Sequence, residues 1–205
     1  MGNRLVQAVW AVALWWPALA VAQQPAAAHR EGSWELSLGG GPMSVDGTLR
    51  DFLGSGAPEY RFASTPTPGS GAGTAVLRLG YNFTPTIGFS IGGGVASGSG
   101  ITYLTPSAAI TFTKNLNGKT SPFLLIGTDF TRISGNNSRV THSIWGVQAG
   151  LGVRHMVDQH FALRFEGRLQ FEGYDEVPMT RSTVVNPVIT FGVSYFVGGR
   201  KKGTG

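Results

Sequence analysis

The stretch FALRFEGRLQF, residues 161–171, alternates in polarity along its whole length. One set of alternate positions is apolar apart from one glycine: Phe161, Leu163, Phe165, Gly167, Leu169 and Phe171. The intervening set is mainly polar: Ala162, Arg164, Glu166, Arg168 and Gln170. Because successive side chains of a strand point to opposite faces, the stretch predicts a β-strand with an apolar and a charged face. The charged face would meet water in a soluble sandwich, and the lumen in a membrane barrel.

The N-terminal residues have the order of features found in a bacterial secretory signal peptide. Arg4 precedes an apolar run, residues 5–22, which ends in the tripeptide Ala-Val-Ala. A positive start, a short apolar centre and small residues at the end are typical of a cleaved signal. The alternative is a membrane anchor, but that needs about 20 uninterrupted apolar residues, and Pro17 interrupts this run. We therefore expect residues 1–22 to be a signal peptide and residues 23–32 to form an N-terminal leader of the exported chain.

The composition favours an all-β chain that is stabilised without disulfides. The sequence contains 31 glycines, 11 prolines and no cysteine, and glycine and proline are the poorest helix formers. An exported chain without cysteines must gain its stability from packing, which a sheet closed on itself provides. The net charge of +5 includes three basic residues in a C-terminal tail, residues 198–205. No basic aromatic stripe accompanies this charge, so we expect no nucleic-acid partner.

Alternation recurs along the chain and predicts eight strands, with a ten-stranded barrel as the alternative. The predicted strands span residues 33–40, 73–83, 86–96, 102–113, 121–133, 143–156, 160–172 and 184–197. Short turns follow the second, fourth and sixth strands, and longer links generally follow the odd-numbered ones, although residues 97–100 form a short link. Turns and loops therefore emerge at opposite ends of the sheet, which is typical of an outer-membrane barrel.

Two prolines bear on the strand starts. Pro106 and Pro187 lack the backbone donor that an interior strand position supplies. We therefore expect the fourth strand to start late and the eighth to start irregularly.

Aromatic residues are predicted to gather at both ends of the barrel wall. Those expected at the turn end are Trp34, Tyr81, Phe83, Phe112, Phe161 and Tyr195, and those expected at the loop end are Phe130, Trp145 and Phe171. Such belts mark the two membrane interfaces of an outer-membrane barrel. In the alternative, the same aromatics would cap the two ends of a soluble β core.

Seven charged residues fall on inward positions of the predicted strands: Glu35, Arg78, Asp129, Arg154, Arg164, Glu166 and Arg168. An eight-stranded barrel is just wide enough for side chains to fill its interior. Charges that are buried there need partners. We expect a structural ion-pair network, with a catalytic or ion-conducting site as the alternative.

Two stretches resemble the small eight-stranded outer-membrane barrels related to the OmpA transmembrane domain and to OmpX. The first is GLGVR, residues 150–154, which leads through a short turn to LRFEGR, residues 163–168. The second, TFGVSYFV at residues 190–197, is similar to the C-terminal signal that the barrel assembly machinery reads. The resemblance spans residues 31–198 and implies an antiparallel up-and-down transmembrane barrel, residues 33–197, in the bacterial outer membrane. It also implies that the partners are outer-membrane lipid, lipopolysaccharide and the assembly machinery.

From these features we expect a monomeric, non-enzymatic barrel whose loops serve envelope structure, adhesion or binding. One alternative is a narrow porin or transport pore, and another is a lipid-modifying enzyme. Deacylases of similar architecture carry a His-x-Ser strand motif, but here His142 and Ser143 are neighbours and would point to opposite faces of a strand. His29, His155 and His160 lack metal-ligand spacing, so we expect neither a metal nor another cofactor.

Overall fold

Eight antiparallel strands close into one barrel in the computed structural model, which describes residues 31–44, 71–98, 101–114, 119–135, 141–174 and 182–199. The strands are β1 (Ser33–Ser44), β2 (Gly71–Asn82), β3 (Ile87–Gly98), β4 (Ile101–Thr113), β5 (Thr120–Gly135), β6 (Thr141–Met156), β7 (Phe161–Tyr174) and β8 (Ser182–Gly198). Each strand pairs with the next, and β8 returns to pair with β1. The predicted eight-stranded antiparallel barrel is therefore confirmed. In the described part of the chain, no helix is long and apolar enough to span a membrane.

The alternation in the sequence becomes the inside and outside of the barrel. On β7, the Phe165 side chain is 49% exposed on the outer wall, whereas the next residue, Glu166, is 0% exposed in the lumen. The seam between β1 and β8 follows the same rule. Leu36 faces outward opposite Tyr195, and the inward hydroxyls of Ser37 and Ser194 lie 2.9 Å apart.

Strand pairing continues further toward the loop end than the apolar pattern predicts. Met43 pairs with Ala72 in an extension of β1 and β2, and both side chains are buried. The backbone ladder continues through the glycines at residues 39–41, where the sequence shows no alternation, so the predicted strand ends too early. The link between β3 and β4 is reduced to residues 99–100.

The expectation that Pro106 and Pro187 disturb the strand starts is wrong. Pro106 lies inside β4 and pairs with Gly93, and its missing donor falls in a gap of the β4–β5 ladder between Leu104 and Ser107. Pro187 lies inside β8, one residue beyond the last pair that β8 makes with β1. Both prolines thus sit where one neighbouring strand makes no ladder pair.

Phe196 breaks the polar pattern of the inward face of β8, and its side chain fills the turn end of the lumen. Its ring is buried in a cluster with Met156 and Ala162. These three side chains form an apolar layer at the turn end of the lumen, because Met156 ends β6 and Ala162 begins β7.

The turn between β6 and β7 is held by one carboxylate. Asp158 Oδ1 accepts hydrogen bonds from the backbone N–H groups of His160 at 2.7 Å and Phe161 at 2.8 Å. These two bonds favour the charged carboxylate, so they lower the pKa of Asp158 below its ordinary value of 3.8.

The lowered pKa of Asp158 predicts an acid-sensitive turn. Since the pKa is lower in the folded chain than in the unfolded one, this stabilisation is complete above the ordinary value and is lost as pH falls through the folded-state pKa. We expect an NMR titration of the Asp158 carboxyl carbon to have its midpoint below 3.8. Asp158→Ala should speed amide exchange at His160 and Phe161, whereas Asp158→Asn keeps an acceptor oxygen and should restore protection. A midpoint at or above the ordinary value would contradict this account of the turn.

Candidate functional site

Glu166 is the hub of a group of charged side chains in the middle of the lumen. Arg78 reaches it from β2 with two parallel bonds, Nη2 to Oε1 at 2.8 Å and Nη1 to Oε2 at 3.0 Å. Arg164 donates to Oε2 from the same strand as Glu166, with Nε at 3.1 Å. Arg168 Nε lies 2.8 Å from Oε1, as an ion pair whose orientation does not make a hydrogen bond. Three guanidinium groups thus converge on one buried carboxylate.

Arg164 extends this group to a second carboxylate, Glu35 on β1. Its Nη1 donates to Glu35 Oε1 at 3.1 Å, and Arg154 Nη2 lies 3.0 Å from Glu35 Oε2. The hydroxyls of Ser37 and Ser194 also donate to Glu35, at 3.0 and 2.8 Å. We call the six charged residues the central network: Glu35, Arg78, Arg154, Arg164, Glu166 and Arg168.

Phe123 supports the central network and was missed by the sequence analysis. Its ring is fully buried, and the guanidinium carbons of Arg154 and Arg164 lie 4.7 and 4.4 Å from the ring centroid. The negative face of an aromatic ring attracts such cations. Phe123 belongs to the continuous apolar run FLLI, residues 123–126, in which periodicity cannot tell the inward positions from the outward ones.

Asp129 lies nearer the loop end and forms no salt bridge with the described residues. It belongs to a second group, the loop-end cluster, which consists of Tyr103, Asp129, Thr131, Glu172 and Asn186. Thr131 Oγ1 donates to Glu172 Oε1 at 2.6 Å, and Asn186 Nδ2 donates to Glu172 Oε2 at 3.1 Å. Glu172 was also missed, although it continues the inward series of even-numbered positions on β7. The predicted strand ended at this residue, so its side chain was left out of the lumen.

Side chains fill the space around the central network. Two cavities of about 10 Å³ each border it, one beside Glu35, Arg78 and Arg154, and the other beside Arg78, Arg164 and Thr190. A volume of this size holds about one water molecule. The side chains of the central network therefore occupy the lumen at the level of these two cavities.

The predicted interfacial aromatics are distributed over the two ends of the outer wall. At the turn end, the ring centroids of Trp34 and Tyr81 are 5.0 Å apart, and those of Phe161 and Tyr195 are 4.8 Å apart. Phe83 and Phe112 are exposed at the same end. At the loop end, Phe130 and Trp145 are 5.0 Å apart, and Phe171 is half-buried on β7.

The remaining candidate residues show local structural contacts. His155 Nδ1 lies 2.9 Å from Thr120 Oγ1, and the His160 ring stacks on Tyr195. Ser143 is exposed on the outer wall, whereas the side chain of His142 and the whole of His29 lie outside the described residues. In the described ranges, no three His, Asp or Glu side chains gather in a metal-binding group.

A sequence model of the outer membrane protein beta-barrel domain matches residues 14–196, which include the described strands almost completely. The chain belongs to this family. Its members are barrels of the bacterial outer membrane, in agreement with the closed antiparallel sheet and its apolar outer wall. No curated protein sequence matches the chain.

Several solved structures share the fold of this chain, although their sequence identity to it is low. Neisserial surface protein A has a TM-score of 0.62 and 13% identity, over 80% of this chain and 99% of its own. The N-terminal β-barrel domain of Pseudomonas aeruginosa OprF has a TM-score of 0.56 and 13% identity, over 82% and 98%. The outer membrane protein OprG of P. aeruginosa has a TM-score of 0.50 and 14% identity, over 83% and 98%.

The convergence of three arginines on Glu166 predicts a large loss of stability when its charge is removed. Glu166→Gln preserves size but leaves buried guanidinium groups without their shared partner, which typically costs about 3–5 kcal/mol. We expect a loss of this order in the free energy of unfolding, measured by urea titration in lipid vesicles. Glu35→Gln should cost less, because two arginines contact Glu35 instead of three. Asp158→Asn in the exposed turn is the control. Equal stability of Glu166→Gln and this control would refute the role of Glu166 as hub.

Proposed function

We propose that the protein is a non-enzymatic outer-membrane barrel whose closed, filled body holds its loops at the cell surface for envelope structure, adhesion or binding. The observation that carries this proposal is the central network, because it occupies the space that a transport pathway would need. Family membership supports the location, and the export signal proposed for residues 1–22 supplies the route.

The arrangement of the central network favours a plug over a pore. Arg78 on β2 and Glu166 on β7 are three strands apart around the barrel, so their two hydrogen bonds cross the lumen. Breaking them would leave charges without partners in a narrow space, which is costly. Wide aqueous channels occur in barrels of about 16 strands, whereas eight strands enclose a space that side chains fill.

The outer wall supports lipid, including lipopolysaccharide, as the surrounding partner. Trp145 is 69% exposed near the loop end of the outer wall and packs against Phe130 with the two rings tilted, an arrangement suited to a membrane interface. Arg132 is exposed on the same face of β5, two residues further toward the loops, where its charge would meet anionic headgroups. The closed ladder leaves each described strand paired on both sides, which supports a monomer. The terminal strand β8 would be read by the assembly machinery during insertion.

Planar-bilayer recording of the purified monomer tests this function. We expect no stable conductance steps of porin size, since the cavities around the central network are of water size. A large porin inserted in the same bilayers is the control for detection. Stable, large steps from the pure monomer would overturn the proposal in favour of a transport pore. Mass spectra of lipid A from an overexpressing strain should match those of the empty strain, and a modified lipid A would identify an enzyme instead.

A further inference from the structure

We propose that the loop-end cluster is a binding site for a hard divalent cation, with Ca²⁺ as the ion that fits its oxygen donors. The site is separate from the central network, and it does not depend on the function proposed for the loops.

The register of three strands brings two carboxylates together. Asp129 on β5 pairs with Gly146 on β6, and Gly146 pairs with Glu172 on β7, so the three residues form one row on the inward face. Gly146 lacks a side chain, and Asp129 Oδ1 occupies part of the space that a side chain would take. A Cβ atom on Gly146 would collide with Asp129 Oδ1 and would lie 3.2 Å from Glu172 Cγ. The missing side chain thus leaves a space between Asp129 and Glu172, which we call the cradle.

Two buried oxygen atoms at this cradle have unmet bonding capacity. Asp129 Oδ1 and the Tyr103 hydroxyl accept or donate no hydrogen bond among the described residues, although each residue is only 1% exposed. Leaving such groups without a partner costs about 1–3 kcal/mol each, and more for a charged group. Tyr103 lies on the inward face of β4 opposite Ile133, which is two residues along β5 from Thr131 of the loop-end cluster. Its hydroxyl also interacts electrostatically with Glu172. A ligand that binds oxygen atoms would give both of these atoms a partner.

The nearby arginine does not form a hydrogen bond with Asp129 Oδ1 or with the Tyr103 hydroxyl. Arg168 is the cationic residue that interacts with Asp129, but its Nε faces Glu166 and its Nη1 donates to Gln148 at 2.9 Å. Gln170 Nε2 donates to the other oxygen of Asp129, Oδ2, at 3.5 Å. Among the described residues, the salt bridges join arginines to Glu35 and Glu166, and no salt bridge reaches Asp129 or Glu172. A bound cation would offset the negative charge of Asp129 and Glu172.

The donor set selects the class of cation. The cradle offers carboxylate and hydroxyl oxygens without thiolate or imidazole, which is the preference of hard cations. Ca²⁺ accepts six to eight oxygens in flexible geometry and can complete its shell with water, whereas Mg²⁺ demands a near-ideal octahedron. The uneven arrangement of Asp129, Glu172 and Tyr103 therefore favours Ca²⁺.

Calorimetric titration of Ca²⁺ into the full chain, refolded from urea in a non-ionic detergent, tests the site. Refolded protein carries no lipopolysaccharide, whose phosphates would also bind the ion. We expect one saturable Ca²⁺ site per chain and a rise in the unfolding temperature with Ca²⁺ relative to a chelator. Asp129→Asn and Glu172→Gln should each weaken binding by about tenfold or more. Tyr103→Phe, which keeps every charge, should weaken it less, and Asp158→Asn in the remote turn should not change it.

Two results would overturn the proposal. If the wild-type chain shows no saturable binding, the loop-end cluster is not a cation site. If Asp129→Asn binds as tightly as the wild type, the ion sits elsewhere. Should one of the amide variants fail to fold, the other variant and Tyr103→Phe still decide between these outcomes.

Discussion

Closure of the sheet is the constraint on which the rest of this structure depends. In hydrocarbon, a backbone N–H or C=O group cannot bond to water, so each must find a partner within the chain. The pairing of β8 with β1 meets this demand, because it removes the two edges that an open sheet would expose. Once the sheet is closed, strand alternation permits one arrangement, with apolar side chains toward lipid and polar ones in the lumen.

That arrangement concentrates charge in a narrow space. The described inward residues include four arginines, Arg78, Arg154, Arg164 and Arg168, and four acids, Glu35, Asp129, Glu166 and Glu172. They are divided unevenly along the barrel. The four arginines share two glutamates in the central network, whereas the other two acids lie at the loop end. The first group crosses the lumen with ion pairs, and the second is the region in which we propose a cation site.

The sequence predicts the features that depend on a single strand, such as which of its side chains face the lumen. Period-two alternation identified the inward face of β7 because its apolar and charged residues alternate without a break. It failed for Phe123, which lies in an apolar run, and for Glu172, where polarity no longer marked the end of the strand. The sequence also could not show which inward residues become neighbours. Asp129 and Glu172 share one row because the register of three strands pairs both of them with Gly146, which has no side chain to separate them.

A cysteine cross-link across the seam tests closure most directly. The chain has no native cysteine, and the hydroxyls of Ser37 and Ser194 lie 2.9 Å apart between β1 and β8. In the double variant Ser37→Cys with Ser194→Cys, we expect oxidation to join most folded chains through a reducible bond and few urea-unfolded ones. Ser37→Cys with Ser121→Cys, which places the second thiol four strands away on β5, is the matched control. Efficient cross-linking of the seam pair alone supports a closed barrel, whereas seam cross-linking no greater than that of the control would contradict it.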